Sequence, residues 1–412
     1  MRLTHAALLL PSLLFLTLGP SGSAQAQVPG PGQTAAGATA AATDAAVITP
    51  LLARPLTTPR PQRLSNGTIE LLYELELRAP VAVTLEQLEL LDPDRGDAPI
   101  ASYTAEQLLE HSRFLGRAEP FSPEMPAGNV GIARINLVFT SAAQVPQAIV
   151  HRFTITAAIP PAIEPARLVE RIARTRVDRE PAIAIGPPLA GERWLAVSVG
   201  GDRVHRKAVM PINGDWIVPE RWAVDFVMLD HDGRIVTGDP SRNQSYLQYG
   251  LPLLAVANGR VVQVRDNEPE LTPGAFPEGM TLERAGGNFV VLDIGRGICA
   301  FYAHLIPGSL RVAAGQRVRR GQVLGLLGNS GNSDAPHLHF QVNQGCEPLS
   351  SDGIPFVIDR FRLDGQVVSA DELNSELEHP EVPVTIVTPP GAGPRRGELP
   401  NDLALVSFPG GR

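Results

Sequence analysis

Short runs of alternating apolar and polar residues, separated by turns, constrain the fold of this chain most strongly. The run Ile69–Leu77 alternates for much of its length, and Ala133–Phe139 and Ile149–Ile155 do likewise. Alternation with a period of two is typical of a strand that buries one face. Turn signals such as Ser65-Asn66-Gly67 separate the runs. The pattern therefore predicts an all-β protein.

The same patterning divides the chain into segments. Residues 50–160 are expected to form a β-sandwich of immunoglobulin-like type, because short strands recur there at regular spacing. A short helix is expected within this unit, between Thr104 and His111. Residues 193–362 are expected to form a second unit, an antiparallel β core rich in glycine turns. The remaining segments are a disordered lead over 27–48, a proline- and arginine-rich connector over 161–192 and a C-terminal extension over 363–412.

Residues 1–26 have the pattern of a secretory signal peptide. Arg2 gives a positive start, Ala6–Leu18 is an apolar run, and Ala24-Gln25-Ala26 has the form of a cleavage site. The apolar run is too short to span a bilayer, and no later run is long enough. We therefore expect an exported protein, periplasmic or extracellular, without a transmembrane segment after the signal peptide. Retention of the uncleaved segment as an anchor is the alternative.

Composition excludes two function classes. The net charge of −8 argues against a nucleic-acid partner, which needs clustered positive charge. The segment Val318–Gly325 is similar to the turns of lipoyl and biotin carrier domains, but the only lysine, Lys207, precedes it, so no carrier lysine is available. Cys299 and Cys346 are the only cysteines. In an exported chain they could form a disulfide, and the sequence leaves this open.

A pair of histidines, His337 and His339, follows the glycine-rich turns of the second unit. In a strand, residues i and i+2 project from the same face, about 7 Å apart at the backbone. One imidazole can therefore bind a metal while the other works beside it. Asp225 and His304 lie in strand-like runs upstream. Asp and His side chains suit a zinc site that keeps one position open, so these four residues predict a hydrolytic zinc centre.

The segment 220–343 resembles the lysostaphin-type zinc endopeptidases, also called LytM-like peptidoglycan endopeptidases. The resemblance implies an antiparallel β core with an open groove that holds one Zn²⁺, and hydrolysis of peptide bonds in bacterial peptidoglycan. It implies that Asp225 and His339 are metal ligands, and that His304 and His337 are non-ligand histidines that activate water and stabilise the transition state. The stretches that carry the resemblance are Ala223-Val224-Asp225-Phe226, Tyr302-Ala303-His304-Leu305, Asn329-Ser330-Gly331 and Pro336-His337-Leu338-His339-Phe340, with glycine turns between them.

One position departs from the family pattern. The family's first ligand is a histidine four residues before the aspartate, and this chain has Arg221 there. Arginine stays protonated and has no lone pair for a metal. His205 is a candidate replacement, because a hairpin with a three-residue turn at Asn213-Gly214 would place it opposite Arg221. A two-residue turn would place it on the other face.

The arrangement around His205 resembles a branch of the same family that carries this change. Two other interpretations stay open at this stage. His205 could be a hydrogen-bonded strand histidine without a metal, and His231, in a turn after the strand, is a second candidate for the missing ligand.

Two functions are therefore compared. The first is an exported zinc metalloendopeptidase with peptidoglycan peptides as its substrate. The second is a catalytically degenerate LytM-like protein that regulates or binds cell-wall hydrolases or other envelope proteins. Retention of every family position except the first favours the enzyme. The N-terminal sandwich carries no catalytic cluster, and we expect it to be a targeting, spacer or partner-binding module.

Overall fold

The computed structural model describes residues 48–114, 122–158, 166–201, 203–275, 279–369 and 382–410. The expected signal peptide and nearly all of the expected disordered lead lie outside these residues. The regular secondary structure of the described chain is almost entirely β, which confirms the all-β prediction. Within it, no helix has the length and apolar character needed to cross a membrane. The helical segments are α1 (Ala105–Glu110), α2 (Leu282–Ala285) and the 3-10 helices Pro93–Arg95, Val204–Lys207 and Asn243–Ser245.

Two five-stranded sheets form the N-terminal unit, which we call the sandwich unit. Its strands are β1 (Leu52–Pro55), β2 (Arg60–Arg63), β3 (Ile69–Arg78), β4 (Val83–Asp92), β5 (Ala98–Thr104), β6 (Ser112–Phe114), β7 (Glu124–Met125), β8 (Val130–Phe139), β9 (Ala148–Ala157) and β10 (Ala166–Arg176). One sheet has the order β1-β3-β8-β6 with β2 on β3, and the other has β10-β9-β4-β5 with β7 on β4. Leu71 and Tyr73 of the first sheet share one core with Leu88 and Phe153 of the second. The immunoglobulin-like type stays a prediction.

Two local expectations for this unit have different outcomes. The short helix is present as α1, where Thr104 caps the N-terminus and Gln107 returns the hydrogen bond. The connector expected over 161–192 is wrong in part, because β10 pairs with β9 along most of its length. Its arginines are on the outer side of an edge strand, where Arg171 contacts Asp97 at 2.8 Å. A charged edge strand protects a sheet from further pairing, and its sequence is easily taken for a linker.

The second unit is built on an eleven-stranded sheet. Its strands and those of the small sheets around it are β11 (Ile183–Ile185), β12 (Gly191–Val197), β13 (Met210–Ile212), β14 (Asp215–Ile217), β15 (Val224–Met228), β16 (Pro252–Leu254), β17 (Gly259–Arg265), β18 (Asn288–Gly295), β19 (Ile298–Leu305), β20 (Arg317–Val318), β21 (Val323–Leu326), β22 (Leu338–Gln344), β23 (Phe356–Ile358), β24 (Phe361–Val367), β25 (Ile386–Val387), β26 (Gly393–Arg395) and β27 (Ala404–Phe408). The large sheet has the order β20-β17-β18-β19-β22-β15-β12-β27-β24-β25, with β26 on β24.

The C-terminal segment is part of this sheet. The sequence predicts a core that ends at residue 362 and a C-terminal extension over 363–412, and that boundary is wrong. Strand β27 pairs with β12 on one side and with β24 on the other. Leu405 and Val406 of β27 are buried, so the segment contributes its own core side chains.

A disulfide joins Cys299 in β19 to Cys346 just after β22, with a Cα–Cα distance of 5.1 Å. These two strands are neighbours in the large sheet. A crosslink across a loop of this length, 47 residues, restricts the unfolded chain by an amount worth about 4 kcal/mol. The disulfide therefore ties together the two strands that carry His304 and His339.

Candidate metal centre

Three adjacent strands of the large sheet bring the predicted site residues together. The register of β15 with β22 places Asp225 directly opposite His339. The register of β22 with β19 places His339 opposite Ala303, so strict alternation would turn His304 to the other face. The backbone of His304 has a φ of +67°, which breaks the alternation at the strand end. A left-handed non-glycine residue is uncommon and typical of functional sites.

His205 reaches the same site from the 3-10 helix Val204–Lys207. The hairpin predicted around Asn213-Gly214 exists, but its strands are only β13 and β14. Its turn has two residues, both with positive φ, as in a type I′ turn. The register argument that placed His205 in a strand opposite Arg221 is therefore wrong. The Nε2 atom of His205 nevertheless lies 3.1 Å from Oδ2 of Asp225.

The ligand atoms of His205, Asp225 and His339 all lie within 4.8 Å of one another. Nδ1 of His339 is 3.0 Å from Oδ1 of Asp225, the oxygen that His205 does not contact. His337 lies beside them, with its Nε2 atom 3.6 Å from Oδ1 of Asp225. The rings of His304 and His337 are 4.7 Å apart between centroids. All five predicted residues thus form one cluster.

Backbone carbonyls fix the orientation of three of the four imidazoles. A carbonyl oxygen can only accept, so the ring nitrogen that contacts it must carry a proton. In the neutral form each of these rings then has its lone pair on Nε2. The acceptors are the carbonyls of Ser198 for Nδ1 of His205 (3.1 Å), Ser330 for Nδ1 of His304 (2.7 Å) and Ala335 for Nδ1 of His337 (2.8 Å).

His339 has the opposite orientation, and two buried amides of its own strand determine it. The side-chain nitrogen of Gln341 donates to the carbonyl of Pro348 at 2.8 Å, so its oxygen must face His339. That oxygen accepts from Nε2 of His339 at 2.8 Å and leaves the lone pair on Nδ1, toward Asp225. Asn343 accepts the second hydrogen bond from Gln341 at 2.8 Å. Partners of this kind orient metal-binding histidines in proteins generally.

The sequence reasoning missed Gln341 and Asn343. A signal for them existed, since they follow His339 at intervals of two and therefore share its face of β22. Both are fully buried, and with His339 they make one face of β22 polar, whereas the opposite face is apolar.

The charges of the site are strongly coupled. Burial disfavours the charged form of His205, but the carboxylate of Asp225 outweighs it and raises the pKa of His205 to about 9. Burial also opposes ionisation of Asp225, yet the surrounding imidazoles hold its pKa well below the usual value. The pKa of His339 is raised against burial by its hydrogen bond to Asp225. Burial, with His337 and His339 nearby, lowers the pKa of His304 well below normal. His304 is therefore neutral at physiological pH.

The ion pair between His205 and Asp225 predicts that the metal-free protein loses stability as pH rises. The pKa of His205 is about 9 in the folded chain and near 6.5 when unfolded. The contribution of this ion pair to the free energy of unfolding is therefore complete below pH 6.5. It disappears as pH rises through about 9, a loss of about 3 kcal/mol. Chemical denaturation of chelator-treated protein at both ends of this pH range measures the loss of stability. The variant His205→Gln should lack the dependence, and equal parent stability at both ends would contradict the prediction.

Arg221 does not belong to the cluster of ligand atoms. Its guanidinium is buried and contacts Oε2 of Glu74 at 2.8 and 3.0 Å and the carbonyl of Gly353 at 2.9 Å. His231 is exposed in its turn and is not part of the cluster either. A second grouping, Asp293 with Cys299 and Cys346, offers no thiolate because both sulfurs are in the disulfide.

The donor set suits Zn²⁺. Two imidazole nitrogens with available lone pairs and one carboxylate converge, and three protein ligands with one open position are typical of catalytic zinc sites. The lone pair of each imidazole is directed at the cluster, because the other ring nitrogen is already hydrogen-bonded. The two further histidines, His304 and His337, present Nε2 beside this donor set.

Comparison with known proteins agrees with this geometry. Residues 245–351 match the model of Peptidase family M23. The matched segment contains His304, His337 and His339, and it begins after His205 and Asp225. The lysostaphin-type resemblance is thus confirmed.

Individual relatives match over the same part of the chain. Over 115 residues the chain is 31% identical to the glycyl-glycine endopeptidase ALE-1 of Staphylococcus capitis, which is 27% of this chain and 27% of that protein. Over 65 residues it is 43% identical to the peptidoglycan DD-endopeptidase ShyA of Vibrio cholerae, 16% of this chain and 15% of that protein. The chain thus spans well under two thirds of the length of either relative.

Among solved structures, the catalytic domain of the antimicrobial peptidase lysostaphin from Staphylococcus simulans aligns with 40% of this chain and 84% of its own. The identity is 22% and the TM-score is 0.22. The family resemblance therefore rests on the sequence match. The similarity of this chain to Peptidase family M23 lies in residues 245–351.

Proposed function

We propose that this protein is an exported zinc metalloendopeptidase that hydrolyses peptide bonds in bacterial peptidoglycan. The observation that carries the proposal is the convergence of His205, Asp225 and His339 within 4.8 Å, with each imidazole lone pair directed inward. The names of the matched relatives, a glycyl-glycine endopeptidase and a peptidoglycan DD-endopeptidase, support the substrate class. The signal-like start of the sequence supports export.

His205, Asp225 and His339 would hold the metal, with His205 in place of the family's first histidine. Zinc, when bound, supplies a Lewis acid that polarises a carbonyl and makes water a better nucleophile near neutral pH. The remaining coordination position stays open for substrate and water, because the protein offers three donors at the cluster.

His337 and His304 divide the proton chemistry between them. His337 is the less buried of the two, and its Nε2 lies 3.6 Å from Oδ1 of Asp225. It accepts the proton of the attacking water at Nε2 and returns it to the departing amine. His304 is held neutral and its Nδ1–H donates to the carbonyl of Ser330, so its Nε2 accepts a hydrogen bond and orients water or substrate.

Zinc content of the purified mature protein tests the ligand assignment. The parent should hold about one zinc per chain, as a single catalytic site requires. His205→Ala should lose most of it, whereas His231→Ala, which removes an exposed histidine, should keep it. Hydrolysis of purified peptidoglycan, followed by release of new amino termini, should fall with the zinc content.

Other outcomes would contradict the proposal in different ways. Full zinc in His205→Ala would exclude His205 as a ligand. A parent without zinc, even after reloading, would favour a catalytically degenerate regulator or binding protein of cell-wall hydrolases. The observation that favours this regulator is Arg221, which occupies the family's first ligand position and is already paired with Glu74.

A further inference from the structure

We infer that the sandwich unit is a working part of the candidate metal centre, and that Glu74 in its strand β3 is a positioning residue for His205. The inference rests on the proposed function, because it assigns a role in metal binding to a residue that contacts no metal ligand. It also gives the sandwich unit a role other than spacer or targeting module.

Strand β3 has two buried faces that belong to different cores. Leu71, Tyr73 and Leu75 face the core of the sandwich unit. Leu72, on the opposite face, belongs to the core cluster of the second unit. Glu74 shares the face of Leu72 and is completely buried, with an exposed fraction of 0%. A polar face of this kind is normally turned to water, so its burial needs specific partners.

Two arginines of the second unit are those partners. Oε1 of Glu74 accepts from Nη2 of Arg206 at 3.1 Å, and Oε2 accepts from Nη2 of Arg221 at 2.8 Å. Both guanidiniums are buried. Burial alone would raise the pKa of Glu74, but Arg221 and Arg206 outweigh it and lower the pKa, so the carboxylate is ionised. We call the three residues the Arg206–Glu74–Arg221 triad.

The triad fixes the short helix that carries His205. Arg206 is the next residue in the same 3-10 helix, and its Nη2 also donates to the carbonyls of Tyr73 and Ile135 in the sandwich unit, at 3.2 and 3.1 Å. A 3-10 helix of four residues has little stability of its own. The position of His205 relative to Asp225 is therefore set by contacts of its neighbour with another unit.

A second contact supports the same segment. The backbone N–H of Gly201 donates to Oε2 of Glu70 at 3.0 Å. Glu70 lies four residues before Glu74 on the same face of β3. Gly200 lies so close to this carboxylate that an added Cβ would be 2.6 Å from Oε2, and its φ is +61°. The segment that leads into the His205 helix therefore packs closely against the sandwich unit.

A buried ion cluster is weak evidence for stability, since apolar side chains of similar size often stabilise as well. What it does supply is a defined geometry, because each guanidinium has a fixed set of acceptors. Loss of the Glu74 charge would remove the carboxylate that Arg206 and Arg221 share, and would leave Arg221 with Asp352 at 3.4 Å. Arg206 would then move toward water and take His205 with it.

The test compares Glu74→Gln with Glu76→Gln in the full mature chain. Glu76 lies two residues along β3, is 1% exposed, and pairs only with Arg54 and Arg78 of the sandwich unit among the described contacts. It is therefore a matched buried carboxylate without a link to the His205 helix. Zinc affinity is measured by competition with a chromophoric chelator, and the site geometry by the visible absorption of the Co²⁺ form. Thermal melts of the metal-free proteins report folding.

We expect Glu74→Gln to weaken zinc binding about 10- to 100-fold, the usual effect of losing a group that orients a ligand, and to change the Co²⁺ spectrum. Glu76→Gln should keep the affinity of the parent, even where its melting temperature falls equally. Parent-like affinity in folded Glu74→Gln would overturn the inference while leaving the proposed function intact. A parent that binds neither metal would overturn both.

Failure of Glu74→Gln to fold would still leave a test. Glu70→Ala keeps all three residues of the Arg206–Glu74–Arg221 triad and removes the acceptor of the Gly201 N–H. Glu70→Ala should weaken zinc binding by a smaller factor than the one expected for Glu74→Gln. The absorption of its Co²⁺ form should shift in the same direction as that of Glu74→Gln. An affinity equal to that of the parent would count against the role of the sandwich unit.

Discussion

Replacement of His339 with alanine is expected to abolish zinc binding while the protein stays folded. His339 offers Nδ1 at the centre of the donor cluster, 3.0 Å from Asp225, and its removal leaves His205 and Asp225 as the only two donors. Two protein ligands hold zinc far more weakly than three. The fold does not depend on the imidazole, because β22 is paired on both sides by backbone hydrogen bonds.

Zinc content after dialysis measures the first part of this prediction, and chemical denaturation measures the second. The carbonyl oxygen of Gln341 loses its donor in the variant, so a stability loss of about 1–3 kcal/mol is expected. His231→Ala is the matched control for loss of a histidine outside the cluster. A variant that retains full zinc, or one that is unfolded without denaturant, would show the assignment to be wrong.

Replacement of His337 with alanine is expected to leave zinc bound and to remove hydrolysis. Its Nδ1 is occupied by the carbonyl of Ala335, and its Nε2 lies at the edge of the cluster and not among the three converging donors. The loss of a positioned acid–base group lowers turnover by about 10²- to 10⁴-fold. Zinc per chain and the rate of peptide-bond cleavage are measured on the same preparation.

Asn332→Ala is a suitable control for this variant, because Asn332 is an exposed residue of the same loop. It should hydrolyse substrate at the rate of the parent. Turnover retained by His337→Ala would exclude His337 as the base. Zinc lost together with turnover would instead make it a ligand, and the division between ligands and proton carriers would have to be redrawn.

The sequence predicts the parts of this molecule that depend on local pattern. Alternation with a period of two predicts the strands, and the spacing of His337 and His339 predicts two imidazoles on one side of β22. Asn213-Gly214 predicts a hairpin because few residues other than these accept positive φ at both turn positions. These features are decided within a few residues, so no knowledge of the tertiary structure is needed.

Features that depend on distant contacts were not predictable in the same way. His205 lies in a 3-10 helix whose position follows from the contact of Arg206 with Glu74, 132 residues away in sequence. Glu74 belongs to a run whose alternation is equally typical of a solvent-exposed face. Strand β10 lies in a segment predicted to be a connector, because a charged edge strand has no distinctive period. Strand β27 lies in the predicted C-terminal extension, and the local pattern does not show which strands it would pair with. Each of these errors concerns contacts between strands or units that are distant in sequence, and local residue patterns do not determine such contacts.

The position of β27 has a consequence for the order of events during biosynthesis. This strand, near the C-terminal end of the chain, is inserted between β12 and β24, and β12 in turn is the neighbour of the strand that carries Asp225. A growing polypeptide that has not yet emerged to Ala404 has β12 as an open sheet edge, which invites pairing with other chains. Contacts between segments so distant in sequence form slowly. Completion of the sheet beside the Asp225 strand therefore waits until residues 404–408 are available to pair with β12.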